Sequence, residues 1–324
     1  MKIAVACNGH IPSQHAHSIN SAKHANAFVK LGYNVELLSV ERFYENKFIK
    51  EITNIFDFYG IDSLPITYFK DKSIFYFQEK KLYGKLIRLL KIFLPKKIAE
   101  ILDPEKKMSQ YIKNNNFDLC YARSYKIVKY NIENKIPTIM ETHSSTPEKV
   151  KDLMNVLKFS NSEYFKGIVT IHQKLKDNFV RLGVPEKKIL VQEDAVDLEM
   201  FDQIPDDSEK NRENLGISIK KKIVMYCGSL KPGKGIHIIL QTAKKLELNN
   251  DILFYIVGGS KEEIDFWRNY NNQKYRNVVF TGFVYGSQIP QFLKSADVLF
   301  MPYDKNEKKK AMDIDTTSPI KLFE

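Results

Sequence analysis

Twice along this chain, short apolar runs alternate with stretches of helical periodicity, and that alternation leaves few architectures open. Lys2 to Cys7 reads as a buried first strand, and Asn8 to His17 as a polar loop. Asn20 to Leu31 carries a helical pattern that ends at Gly32, a suitable C-cap, and Val35 to Val40 is the next strand. Strand, helix and strand joined by short connections begin a parallel sheet. The theme returns at Phe117 to Tyr121, Thr138 to Glu141 and Gly167 to Thr170, while segment 41–75 is aromatic and has no assignable period. The stretch Asp202 to Asn214, DQIPDDSEKNREN, is polar and contains proline, so it reads as a boundary. A second series follows, with strands at Ile223 to Cys227, Ile252 to Val257, Val278 to Phe280 and Val298 to Met301. Helical patterns lie between them, from Lys234 to Leu246, from Glu262 and from Ile289 to Ser295. The expectation is an α/β chain of two Rossmann-like parallel-sheet domains, 1–201 and 217–324, with a linker at 202–216.

A length of 324 residues supplies two cores of ordinary size. No run approaches the roughly 18 uninterrupted apolar residues that span a bilayer. The apolar start, Met1 to Cys7, is too short for a signal peptide. Cys7, Cys120 and Cys227 lie in or beside apolar strands without metal-ligand spacing, which points to buried thiols in a reducing cytoplasm. The formal charge of +11 invites a polyanion. Nucleic acid is not expected, since the chain has no zinc-finger spacing, no RNP-like strand and no arginine cluster. A basic nucleic-acid-binding or scaffold protein of the same fold is the alternative that charge alone supports. An anionic membrane fits better, because charge is organised locally. Lys80, Lys81, Lys85, Arg88, Lys91, Lys96 and Lys97 have no acidic residue among them. At about 100° per residue, Lys81, Lys85, Arg88 and Lys91 fall on one helix face. Leu82, Leu86, Leu89, Leu90 and Phe93 fall on the other. Segment 80–97 therefore reads as a basic amphipathic helix suited to a membrane surface.

The sharpest motif is Gly228-Ser229-Leu230-Lys231-Pro232-Gly233-Lys234-Gly235, after a strand and before a helix. Glycines let backbone amides approach an anion, the helix start adds a favourable dipole, and Lys234 adds a point charge suited to a diphosphate. It is neither a Walker A loop nor GxGxxG. Thr281-Gly282-Phe283-Val284 follows another strand of the same series, and the two loops are expected after neighbouring strands at one sheet edge. In the first series His10, His15 and His17 cluster near the first loop without the HExxH or carboxylate context of a metal site. His143 and Arg123 each follow a strand, at the end where open α/β sheets hold ligands. A dinucleotide enzyme would need GxGxxG after its first strand, and Asn8-Gly9-His10-Ile11-Pro12 does not supply it.

These residues converge on a family. Ile189 to Phe201 (ILVQEDAVDLEMF), Gly216 to Gly235, Thr281 to Tyr303 (TGFVYGSQIPQFLKSADVLFMPY) and Ser318 to Glu324 (SPIKLFE) occur in the order of that family's motifs. The chain resembles the large retaining family of GT-B glycosyltransferases, family 4, that contains many bacterial cell-envelope sugar transferases. The resemblance implies two Rossmann-like domains facing across a cleft, the second incomplete because the chain stops in the first turn of the donor-binding helix.

By position, the resemblance makes Lys234 the diphosphate ligand and His143 the histidine that contacts the transferred sugar. The loop at Gly9 and His10 closes over the donor phosphates, and Gly228, Ser229, Gly282 and Phe283 line the donor site. Glu324 accepts hydrogen bonds from the ribose, and His17 and Arg123 lie toward the acceptor. Thr316 stands where the family's first acid falls, and Ser229 where an arginine is frequent. The implied donor is a nucleoside-diphosphate sugar, with UDP favoured. The acceptor would be a cell-envelope glycan, a lipid-linked sugar or a glycoprotein. No metal or cofactor is expected, and the enzyme would lie on the cytoplasmic face of the cell membrane.

Overall fold

The structure is a computed structural model that describes residues 1–7, 9–41, 52–70, 103–143, 158–270 and 274–304. The chain divides into two compact units, Met1–Gln192 and Glu193–Glu324.

The first unit is built on seven parallel strands: β1 (Lys2–Cys7), β2 (Asn34–Glu41), β3 (Ile66–Lys70), β4 (Leu119–Ala122), β5 (Thr138–Thr142), β6 (Phe165–Thr170) and β7 (Ile189–Val191). Their order is β3-β2-β1-β4-β5-β6-β7. β1 pairs with β2 from Lys2↔Asn34 to Cys7↔Ser39, and with β4 from Ile3↔Leu119 to Ala6↔Ala122. Because strand side chains alternate, β1 serves two layers. Ala4 and Ala6 join a core with Met108, Ile112 and Ile127, from helices α3 (Pro104–Asn114) and α4 (Tyr125–Glu133). Cys7 points the other way, toward Ser18 and Ser21 of helix α1 (Ala16–Lys30). All three cysteines are buried and free.

Helix α1 begins four residues before the apolar pattern predicts, so His17 lies in its first turn rather than in the loop. That turn is polar, and its contacts are hydrogen bonds instead of apolar packing: the Ser18 hydroxyl donates to the His10 carbonyl at 3.0 Å. In the aromatic stretch that sequence leaves unassigned, α2 (Ile55–Tyr59) is capped by Asn54, and β3 forms the sheet edge. Helix α5 (Gln173–Arg181) connects β6 to β7.

The second unit has four parallel strands, β8 (Lys222–Cys227), β9 (Ile252–Val257), β10 (Val278–Gly282) and β11 (Val298–Leu299), in the order β10-β9-β8-β11. Alternation again sorts β8 into two cores. Tyr226 packs with Ile239, Leu240 and Trp267 of helices α8 (Ile236–Lys245) and α9 (Lys261–Arg268). Ile223, Met225 and Cys227 pack with Ile217 and Phe292. Phe292 belongs to α10 (Ile289–Lys294). Helix α9 has a complete capping box, Ser260 with Glu263.

The expected linker 202–216 is ordered and belongs to the second unit. After the short helix α6 (Leu198–Asp202), Asp207 caps helix α7 (Ser208–Leu215), which Gly216 ends in the left-handed conformation. What α7 buries is Asn211 and the guanidinium of Arg212, not an apolar stripe, so its pattern resembles a loop. The chain divides at Gln192/Glu193, ahead of the predicted boundary.

Candidate functional site

Each sheet reverses its strand order at one point, and there the loops after two adjacent strands open a crevice for ligands. In the second unit that point lies between β8 and β11. The loop Gly228–Gly235 leaves β8 there, and it and the first turn of α8 meet the chain leaving β11. Gly235, at φ 71°, lies so close to Pro302 that a Cβ would come within 1.6 Å of its carbonyl oxygen. Asp304 donates its backbone N–H to the Gly233 carbonyl at 3.2 Å. The Lys234 ammonium lies 4.6 Å from the centroid of the Tyr303 ring and 3.3 Å from its hydroxyl. His237 Nε2 is 3.3 Å from an Asp304 carboxylate oxygen.

The loop's own carbonyls are occupied from below. Tyr226 donates its hydroxyl to Ser229 O at 2.7 Å, and Trp267 donates its indole N–H to Leu230 O at 2.8 Å. Burial drives the Tyr226 phenol well above its ordinary range, so it remains a donor. With two carbonyls tied down and Gly235 at the N-cap of α8, the loop places a lysine beside the amino end of a ten-residue helix. That arrangement suits a phosphate-bearing anion.

The glycine loops after β8 and β10 do not follow neighbouring strands as the sequence predicts, because β9 runs between them. Gly258, at the end of β9, joins them. Its N–H donates to Gly282 O at 2.8 Å, and a Cβ on it would come within 2.3 Å of Gly228 O. Three strand ends are thus drawn together by backbone, which explains the glycine at 258, while Gly228 and Gly282 adopt positive φ, 143° and 81°. Phe283 sits beyond Gly282, with its ring 6.4 Å from that of Tyr285. Glu324 and Thr316 lie outside the described residues, as does the 80–97 segment.

In the first unit the reversal lies between β1 and β4. Gly9, after β1, allows close approach of α1: a Cβ there would come within 2.1 Å of His17 Nε2. The rings of His15 and His17 stack at 5.5 Å, and His10 meets His15 edge-on at 6.1 Å. Among the described residues, no group of three or more His, Cys, Asp or Glu is arranged to hold a metal ion.

Next to this loop lies a cluster whose centre sequence reasoning missed. Glu141, on β5, has a side chain only 3% exposed. One carboxylate oxygen is 2.5 Å from His143 Nε2 and 3.7 Å from Arg123 Nε, and the other is 3.4 Å from His24 Nδ1. Burial opposes charge on Glu141, yet the His143 hydrogen bond and the nearby His24 and Arg123 outweigh it and hold the carboxyl at about 2. Arg123 and His143, both expected at strand ends, are brought together here, and His24 joins them from α1. The available signal was an acid placed among Thr138, Ile139, Met140 and Thr142 of an otherwise uncharged strand.

Fold and site define an α/β protein in which one parallel sheet carries an anion-suited glycine-lysine loop and the other a buried carboxylate among basic groups. Solved structures give the fold its class, which is GT-B. HepE from Anabaena, solved with UDP-glucose, superposes with a TM-score of 0.61 at 17% identity, over 94% of this chain and 74% of that one. Residues 207–308, within the second unit, match the family described as Glycosyl transferases group 1. An uncharacterized glycosyltransferase of Methanocaldococcus jannaschii is 29% identical over 141 residues, which are 42% of this chain and 36% of that protein. The 2-deoxystreptamine glucosyltransferase of Streptomyces kanamyceticus is 26% identical over 140 residues, again 42% and 36%. The match thus spans about a third of the length of these curated relatives.

Proposed function

We propose that this protein is a retaining glycosyltransferase that moves a sugar from a nucleoside-diphosphate sugar, with UDP as the favoured nucleotide, to a cell-envelope acceptor. The observation that carries this reading is the Gly228–Gly235 loop with Lys234 at the amino end of α8, inside the stretch that matches the group 1 family. The UDP-glucose in the similar HepE structure and the glucosyltransferase among the relatives support the choice of donor.

Breaking the bond between a sugar and its diphosphate develops negative charge on the departing phosphate oxygens. Lys234 and the backbone N–H groups at the start of α8 meet that charge, and they stabilise it more in the transition state than in the bound substrate. The acceptor hydroxyl forms the new bond to the anomeric carbon on the face the phosphate leaves, and its proton passes to the departing diphosphate. Positive side chains and the helix start do the neutralising, so the reaction proceeds without a divalent ion. Tyr303 holds the Lys234 side chain at the loop before substrate arrives, which lowers the cost of ordering it. Gly9 and His10 would close over the donor phosphates, and His143 would touch the transferred sugar. Arg123 and His17 would serve the acceptor, a glycan, a lipid-linked sugar or a glycoprotein. Glu324 would bind the ribose.

Replacing Lys234 by alanine should weaken UDP binding at least about tenfold by titration calorimetry, the loss of one charge-assisted contact. Unchanged affinity would remove the diphosphate site from this loop.

A further inference from the structure

Glu141 is a carboxylate buried where it cannot exchange with solvent, and nothing in the chemistry above uses it. One oxygen accepts a hydrogen bond from His143, on the chain after β5, while His24 of α1, Arg123 after β4 and Tyr121 of β4 also face the carboxylate, the first two at ion-pair range. Residues two apart on an extended chain point to the same face, so Glu141 and His143 meet without any loop between them. An ionised carboxylate only accepts hydrogen bonds, whereas a neutral imidazole has one nitrogen that donates and one that accepts. At 2.5 Å from the carboxylate oxygen, His143 Nε2 must be the donor.

We propose that Glu141 is a positioning residue that fixes the proton of His143 on Nε2, so that Nδ1 is the nitrogen His143 offers to substrate. The role offered to His143 rests on the transferase reading, but the proton assignment does not. His24 and Arg123 hold the carboxylate itself in place. The Nδ1 atom of His24 and one terminal nitrogen of Arg123 are buried without a hydrogen-bond partner, as is the second oxygen of Glu141. His24 Nδ1 lies 3.4 Å from that second oxygen and Arg123 Nε 3.7 Å from the first, so rotating the carboxylate away from His143 would break both ion pairs. The ring of His143 remains 22% exposed, against 3% for Glu141, so it is the histidine rather than the acid that reaches solvent. A purely structural tie between β4, β5 and α1 would impose the same tautomer, so the two roles separate in turnover rather than in the position of the proton.

Nitrogen NMR of the uniformly labelled protein, with the His143→Asn variant identifying the ring's resonances, reads the tautomer directly at a pH where the ring is neutral. The expected result is a protonated Nε2 and a bare Nδ1. A proton on Nδ1 overturns the proposal. This measurement needs no change at position 141, so it decides even if variants there fail to fold. In transfer assays, Glu141→Gln should lower kcat about tenfold to hundredfold, the range for partners that orient a working histidine. The KM for the nucleotide sugar should stay within about threefold, since the donor's diphosphate contacts are untouched. In the His143→Asn background the same substitution should cost no further rate, because its effect runs through the ring. An equal further loss in that background overturns the proposal. Full activity of His143→Asn alone would instead overturn the transferase role given to His143, and would leave the tautomer assignment standing.

Discussion

At the scale of single residues, Glu141 controls more than orientation, because its charge is coupled to folding. Its carboxyl lies at about 2 in the folded chain, below the ordinary glutamate range of roughly 4.3. A depressed folded-state value means that the stability is present in full above the unfolded value. It is lost as pH falls through the folded one. The window therefore runs from about pH 4.3 down to about pH 2, and the two values together imply roughly 3 kcal/mol. Glu141→Gln should be less stable than the parent near neutral pH and should show a shallower acid decline. Urea unfolding between pH 3 and 6, followed by hydrogen exchange at β1 and β5 amides, checks this. Equal acid slopes would mean that the carboxylate is not held ionised by its neighbours.

Residue by residue, legibility followed visibility along the chain. Arg123 and His143 follow apolar runs, so their places at the ends of β4 and β5 could be read from the sequence. Glu141 and His24 could not be found that way. One sits within a strand and the other within a helix, and they meet because α1 lays His24 against Tyr121 of β4, the strand beside β5. Tyr303 belonged to a motif, but its contact with Lys234 comes from the β8–β11 adjacency, which sequence does not state.

Among the elements, α7 shows how a helix can be overlooked when its anchor is polar. Arg212, with a side chain 5% exposed, donates from Nε to Ser295 O at 2.7 Å, from one terminal nitrogen to Lys221 O at 3.2 Å, and from the other to Asp297 at 2.6 Å. Asp297 also accepts the Ile223 N–H at 2.6 Å, so one ion pair ties α7, the first residues of β8 and the start of β11. Burial alone would raise the Asp297 carboxyl, but the Ile223 and Arg212 hydrogen bonds hold it below the usual range. Removing Arg212 strands the Ser295 and Lys221 carbonyls and leaves Asp297 only the exposed Lys222 ammonium at 3.3 Å, so Arg212→Ala should cost the second unit about 3 kcal/mol. Trp267, the only tryptophan, lies in that unit, and its fluorescence during urea unfolding isolates the effect. A change below about 0.5 kcal/mol, the level of an ordinary surface substitution, would show that the pair is not an anchor. Helix α1 makes the same point in milder form. Its apolar part was legible, whereas its first turn depends on the Ser18 hydroxyl and on the missing side chain at Gly9.

For the whole molecule, the two series of alternating strands and helices were readable because each buried parallel strand is a short apolar run. Strand order was not readable, since adjacency across a sheet leaves no periodic trace. The other whole-molecule property that sequence supplies is charge, +11 in total, with segment 80–97 as its most organised part. If the acceptor is attached to an anionic membrane, that segment should carry the protein to it. Each basic residue near such a surface contributes about 1 kcal/mol. Replacing Lys81, Lys85, Arg88 and Lys91 together by glutamate should therefore lower partitioning onto phosphatidylglycerol vesicles by about a thousandfold. The apolar residues of the segment are unchanged by this variant, so any remaining binding measures their share. Raising salt from about 0.05 to 0.5 M should weaken the parent and leave the variant nearly unaffected, because exposed charges are screened beyond a Debye length. Sedimentation with vesicles measures both comparisons. Equal binding by the two proteins at low salt would assign the positive charge to solubility alone and leave membrane recruitment without a segment to perform it.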